Sequence, residues 1–146
     1  MARALRIYRN PAVISRKTSG MTLIEIIIVM SIIALLAAIA IPSYLRSRKR
    51  AQAMEVLQEL RLLDTALEQY TQEHNLPGGT EVPFARLRPY LNQGTALYDT
   101  GNDLMGNPYG PFIIDTVPVV NQRTYEEFEM VADASFWSPY FREQMP

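Results

Sequence analysis

Residues 20–42 read GMTLIEIIIVMSIIALLAAIAIP, and this stretch decides what the rest of the chain can be. Residues 21–41 include one charged side chain, Glu25. At a rise of about 1.5 Å per residue, a helix over this run is about 31 Å long. The hydrocarbon core of a bilayer is about 30 Å thick. The run therefore predicts a membrane-spanning helix.

Basic side chains flank the apolar run on both sides. Residues 1–20 carry five basic side chains and no acidic one, and residues 46–50 add four more. From Ala51 onward the chain has 5 basic and 14 acidic side chains, a net charge of −9. Positive flanks tend to stay in the cytoplasm. The leader therefore predicts a cytoplasmic N-terminus and a translocated C-terminal part, although residues 46–50 oppose that orientation.

A conventional secretory signal is the alternative interpretation of the N-terminus. Ala38-Ile39-Ala40 offers a cleavage site of the A-x-A type. The apolar run is longer, however, than the roughly 7–15 residues of a signal h-region, and it contains Glu25 near its start. The pattern favours a retained anchor that follows a short leader.

The same stretch resembles the cleavage and methylation signature of type IV prepilins and type II secretion pseudopilins. The resemblance rests on the basic leader, Gly20, Glu25 at the fifth position after it, and Pro42 at the twenty-second. Met21 departs from the phenylalanine that is usual in the family. The resemblance implies that a prepilin peptidase cleaves between Gly20 and Met21, that Met21 is N-methylated, and that the helix polymerises.

Glu25 is the one residue of the apolar run whose insertion into a membrane is strongly unfavourable. A carboxylate inside a lipid-facing helix costs about 2.5–3.5 kcal/mol on insertion scales, so it needs a partner. By the resemblance, that partner is the new α-amino group of Met21, on the same chain or on a neighbouring subunit. The two residues lie about one helical turn apart, and a helix N-terminus favours negative charge. The alternative is that Glu25 reaches the headgroup boundary without a specific partner.

An amphipathic helix is predicted to follow the membrane run without a break. It is expected to end near His74 and Asn75, because the Leu-Pro-Gly-Gly that follows cannot continue it. Pro42 is expected to kink it. Apolar side chains recur along one face at spacings of three and four. They are Ala53, Val56, Leu57, Leu60, Leu63, Leu67 and Tyr70.

The C-terminal part contains 8 of the 10 prolines and 6 of the 7 glycines. A short helix is predicted over residues 84–91. Strands are predicted over 109–114, 117–120 and 128–132. About three strands in an antiparallel sheet would cover the apolar stripe of the helix. The predicted fold class is α+β and pilin-like, a long N-terminal helix packed on a small antiparallel sheet.

The predicted organisation has four segments. Residues 1–20 form the leader peptide, and residues 21–42 form the transmembrane and polymerisation helix. Residues 43–75 form an amphipathic scaffold helix, and residues 76–146 form a small β-rich globular part.

Residues 103–109, DLMGNPY, resemble the D-x-W-G-N-P-Y stretch of type II secretion major pseudopilins, with methionine in place of tryptophan. Members of that class typically use bound calcium to fasten their C-terminal loops. The resemblance therefore implies a calcium site, to which Asp99, Asn102, Asp103 and Asp115 would supply oxygen ligands. The alternative is that these Asx and Gly residues form turns without any metal.

Composition excludes several functions. The acidic C-terminal part lacks the basic face that nucleic-acid binding requires. The chain contains no cysteine, so it has no disulfide, thiolate nucleophile or cysteine metal site. Its one histidine, His74, lies at a predicted helix end, and no HExxH, phosphate-loop or G-x-S-x-G motif occurs. No enzymatic function is predicted.

The predicted function is that of a filament subunit, favoured as the major pseudopilin of a type II secretion system. A type IV pilin for adhesion or motility is the second hypothesis, and a monomeric membrane-anchored binding domain is the third. The expected location is the inner membrane, with a single span, a cytoplasmic N-terminus and a periplasmic or extracellular C-terminal domain. The expected partners are other copies of the chain, the prepilin peptidase, an inner-membrane assembly platform, and minor pilins or pseudopilins.

Overall fold

The structure, a computed structural model, describes residues 20–142. Apart from Gly20, the predicted leader lies outside the described residues. The chain forms two compact units, one extending to Ala38 and the other beginning at Ile39.

One long helix, α1, spans Leu23–His74 and contains Pro42 without interruption. This confirms the predicted long helix and its predicted end. Asn75, the residue after α1, has a left-handed backbone with φ of 47°. Asparagine tolerates that conformation just past a helix C-terminus.

In the first unit, residues 20–38, the apolar side chains of α1 are exposed. Leu23 is 81% exposed, Leu35 67% and Ile33 54%. Within the described residues, α1 is the helix that is long and apolar enough to cross a membrane, and none of its apolar window is buried. This surface needs lipid or other helices around it, because so much exposed apolar area is unfavourable in water.

In the second unit, one face of α1 forms the base of the hydrophobic core, as the periodicity predicted. Val56, Leu60 and Leu63 are fully buried, and each such side chain stabilises the fold by about 1.5–3 kcal/mol. Phe128 and Trp137 are the largest fully buried side chains of the same core. The sequence-derived stripe therefore identifies the face on which the domain is built.

Short elements make up the rest of the second unit. The strands β1 (Glu81–Val82) and β2 (Phe112–Ile113) pair antiparallel, with Val82 opposite Phe112. The long helix and the small antiparallel sheet confirm the α+β, pilin-like fold class. The short helices are α2 (Phe84–Leu87), a 3-10 helix (Arg88–Tyr90), α3 (Ala96–Thr100), α4 (Gln122–Phe128) and α5 (Ala134–Trp137).

The predicted helix over 84–91 is confirmed by α2 and the 3-10 helix, but two of the three predicted strands are wrong. Residues 117–120 have no regular structure, and Phe128 is the last residue of α4. The side chain of Asn121 accepts a hydrogen bond from the backbone N–H of Arg123 and so caps α4. That cap favours a helix that ends at Phe128, where the strand was predicted to begin, and the residues from 129 to 132 form a turn and a bend. The predicted strand over 109–114 is confirmed at Phe112–Ile113 alone.

Candidate assembly site

The start of α1 is fixed by Thr22. Its Oγ1 accepts a hydrogen bond from the backbone N–H of Glu25 at 3.3 Å, and its carbonyl accepts one from Ile26 at 3.3 Å. Thr22 is therefore the N-cap, and Glu25 occupies the third helical position, as in the T-x-x-E capping box. Sequence reasoning missed this role of Glu25, although the spacing of Thr22 and Glu25 carries the signal.

The Gly20–Met21 bond lies just before the helix. Residues 20–22 have no regular secondary structure, and Gly20 and Met21 are exposed. A Cβ built on Gly20 would meet no atom within 4 Å. A peptidase needs a reachable bond outside a helix or sheet, and this one meets both conditions. The glycine is therefore not required by packing at this position.

Glu25 and the start of the apolar helix share one exposed surface. Glu25 makes no salt bridge with any residue in 20–142. Its carboxylate lies in the first turn of α1, where the helix dipole favours negative charge. Pro42 is exposed inside the same helix. The charge of Glu25 is thus available to a group outside the described chain.

A second ordered feature is the loop 101–109, which is built around the carboxylate of Asp103. Asp103 is 5% exposed. Its Oδ1 accepts hydrogen bonds from the backbone N–H groups of Met105 at 2.9 Å and Asn107 at 2.8 Å. Its Oδ2 accepts a short hydrogen bond from the hydroxyl of Thr124 in α4. The negative charge is therefore buried with three donors around it.

Two further hydrogen bonds tie this loop to the helices. The side-chain amide of Asn107 donates to Thr124 Oγ1 at 2.9 Å. The Tyr109 hydroxyl donates to Glu59 Oε2 on α1 at 2.6 Å. Burial raises the pKa of the Tyr109 phenol, and the bond to Glu59 raises it further. Burial also raises the pKa of Glu59, and the bond from Tyr109 partly offsets that rise.

Glycine is required at the first position of the loop. Gly101 has φ of 70°, a left-handed backbone that side chains rarely adopt, and it ends α3. A Cβ there would also lie 2.8 Å from the ring of Phe84. Both the backbone and the close approach exclude larger residues.

Comparisons with known proteins agree with the geometry of the N-terminus. Residues 15–41 match the family described as the prokaryotic N-terminal methylation motif. The type II secretion system core protein G of Aeromonas hydrophila is 27% identical over 103 residues, which cover 64% of this chain and 72% of that protein. The N-terminal segment is therefore of the prepilin type, and the chain is similar to both pseudopilins and type IV pilins.

Two pilins are also similar to this prepilin-like chain. The type IV major pilin protein PilA of Myxococcus xanthus is 40% identical over 57 residues, which cover 39% of this chain and 26% of that protein. The type IV wide pilus major component PilA4 of Thermus thermophilus is 58% identical over 36 residues, 25% of this chain and 28% of that protein. The match therefore spans about a quarter of the length of each pilin. No solved structure matches the chain significantly.

The similarity to prepilins and pseudopilins indicates a structural role. Pilins and pseudopilins are structural proteins, so the chain is structural and not an enzyme. The family implies processing by a prepilin peptidase and self-assembly into a filament. The prepilin-type helix is long and apolar enough to anchor the chain in a membrane.

The side chains predicted to bind calcium lie in different settings, and calcium binding stays a prediction. Asp103 already accepts three hydrogen bonds, so a cation would have to displace those donors. Asp99 is exposed and lies 3.9 Å from Arg88, and the exposed Asp115 carboxylate lies over Gly78. Asn102 is half-buried beside Asp103 in the chain. Across residues 20–142, no three acidic or histidine side chains are placed to share a metal.

Proposed function

We propose that the chain is the major pseudopilin of a type II secretion system. The observation that supports this choice is the length of the alignment to the Aeromonas hydrophila protein G, 103 residues. The alignments to the two pilins cover 57 and 36 residues, lengths comparable to the 52 residues of α1. The N-terminal helix is common to both filament types, so similarity beyond it is what separates them.

In this role the chain is first an inner-membrane protein with a cytoplasmic leader and an external domain. Removal of residues 1–20 exposes the amine of Met21, which pairs with Glu25 of the same or a neighbouring subunit. The exposed apolar face of α1 exchanges lipid contacts for contacts with other copies, in which small residues such as Ala37 and Ala38 permit close approach. An assembly platform and minor pseudopilins start the filament, whose growth moves folded proteins outward.

A type IV pilin of a surface pilus is the second candidate. It is favoured by the higher identity to pilins, 40% and 58%, over the segments that align. A monomeric membrane-anchored binding domain is the third, and it would leave the prepilin-type cleavage site without a purpose.

Deletion of the gene in its source organism separates the candidates. We expect the culture medium to lose a set of secreted proteins, which accumulate in the periplasm, while surface pili are unchanged. The comparison is between medium and periplasm by quantitative proteomics, with electron microscopy of surface pili. Plasmid-borne wild-type chain is the positive control, and it should restore secretion. Loss of surface pili with normal secretion would establish the pilin alternative instead.

A further inference from the structure

An exposed stretch of α1, residues 42–50, lies between the apolar run and the residues that form the hydrophobic core. Every residue from 42 to 50 is exposed, and the first buried residue of α1 is Ala53. The first side-chain contact of this stretch with the domain is the salt bridge between Lys49 and Glu127, at 2.8 Å. Among residues 39–142, none buries the helix before that level.

When residues 21–41 fill the hydrocarbon core, the first residues of this stretch lie at the depth of lipid headgroups. The bilayer is about 40–45 Å thick with its headgroups and about 30 Å without them, so each headgroup layer is about 5–7 Å thick. At about 1.5 Å per residue, Tyr44 lies about 4.5 Å and Arg46 about 7.5 Å beyond Ile41. Arg48 and Arg50 lie about 10 to 14 Å beyond it, and long arginine side chains reach back towards the surface.

The side chains in this layer are of types that occur often at membrane–water interfaces. Tyr44 is 67% exposed, and tyrosine is enriched at the membrane–water interface. Tyr44 and Arg48 lie four residues apart and share one face of α1. Arg46 and Arg50 are also four residues apart, so they share another face of α1. The four side chains therefore surround the helix as a collar.

The three arginines of the collar keep their charge available. The salt bridges of residues 20–142 are Lys49–Glu127 and Arg88–Asp99, and the collar arginines belong to neither. Arg50 also lines a surface pocket that contains two acidic side chains, Glu129 and Asp133. Positive charge on this flank opposes the predicted orientation in the membrane, so topology does not explain it.

We propose that Tyr44, Arg46, Arg48 and Arg50 form a binding site for the phosphates of anionic phospholipids. A guanidinium group donates two parallel hydrogen bonds to a phosphate, and a tyrosine ring rests among the glycerol and carbonyl groups. The site lies a fixed distance from the end of the apolar run, whichever side of the membrane it faces. The proposal requires only that the chain is anchored in a membrane. It therefore holds for a pilin as well as for a pseudopilin.

Lipid binding to the full chain tests the proposal. Each basic side chain near an anionic surface strengthens attraction by about fivefold. In neutral detergent with added lipid, native mass spectrometry should therefore show wild-type chain with bound phosphatidylglycerol and little bound phosphatidylcholine. The triple variant Arg46→Gln, Arg48→Gln, Arg50→Gln should bind phosphatidylglycerol at least about tenfold more weakly.

Three variants make the result specific. The set Arg61→Gln, Arg86→Gln, Arg123→Gln removes the same charge from exposed arginines of the domain and should leave lipid binding unchanged. Replacing the three collar arginines by lysine keeps the charge but not the paired hydrogen bonds, and it should give intermediate binding. Tyr44→Ala should weaken binding less than the triple glutamine variant.

Two results would overturn the proposal. One is that the wild type and the triple glutamine variant bind phosphatidylglycerol equally well and melt at the same temperature. The other is wild-type chain without preference for phosphatidylglycerol while the triple variant loses filaments. That second result would assign the collar to the acidic surface of a neighbouring subunit.

Discussion

Asp103→Ala should destabilise the domain more than any other single change in the loop. The substitution leaves the N–H groups of Met105 and Asn107 and the hydroxyl of Thr124 without their common acceptor. Each buried group left without a partner costs about 1–3 kcal/mol, so we expect a loss of about 3–5 kcal/mol. Trp137 is the chain's one tryptophan and is fully buried, so its emission in denaturant titrations reports this loss.

Asp99→Ala is the matched control for Asp103→Ala. The Asp99 side chain is 63% exposed and lies 3.9 Å from Arg88, so its removal should cost less than about 1 kcal/mol. The same titrations test calcium. We expect the wild type to unfold at the same denaturant concentration with calcium as with chelator. If calcium stabilises the wild type, and Asp103→Ala has no effect in chelator, Asp103 is a metal ligand and the hydrogen-bond account is wrong.

Glu25→Gln should abolish filament assembly while leaving membrane insertion intact. Glutamine keeps the backbone N–H that Thr22 caps and suits the capping box, so the helix start is preserved. The substitution removes the charge that pairs with the amine of Met21 in a low-dielectric setting. Loss of one partner of a buried ion pair costs about 3–5 kcal/mol. We expect the yield of sheared filaments, measured by immunoblot and electron microscopy, to fall at least about tenfold.

Glu55→Gln is the control for this variant, because Glu55 is an exposed glutamate of the same helix within the domain. It should assemble like the wild type. Normal filament yield from Glu25→Gln would reduce the role of Glu25 to stabilising the first turn of α1.

The long helix was predictable because its signals are local and repeated. Apolar residues from Ala53 to Leu67 recur at helical spacing over several turns, and Leu76-Pro77 marks the end unambiguously. The short elements were not predictable in the same way. The backbone N–H of Val120 donates to the carbonyl of Tyr140, a contact distant in sequence that holds an apolar segment outside any sheet. Apolar spacing over four or five residues does not encode such a contact.

In the candidate site, too, the local pattern was predictable from the sequence and the contact distant in sequence was not. The Thr22–Glu25 cap is a pattern within four residues, and T-x-x-E before an apolar run predicts it. The sequence also singled out Asp103, but as a metal ligand. Its partner Thr124 lies 21 residues away in α4, a helix that was not predicted from the sequence. The sequence shows an aspartate in both cases, whether a cation or three hydrogen-bond donors surround its carboxylate.

The intact mass of the membrane form tests the central claim most directly. After coexpression with a prepilin peptidase, chain extracted from membranes should lack residues 1–20 and carry one methyl group on the amine of Met21. The uncut chain from cells without the peptidase provides the reference mass. A chain that stays uncut beside an active peptidase, or one that begins at Ile41, would contradict the account.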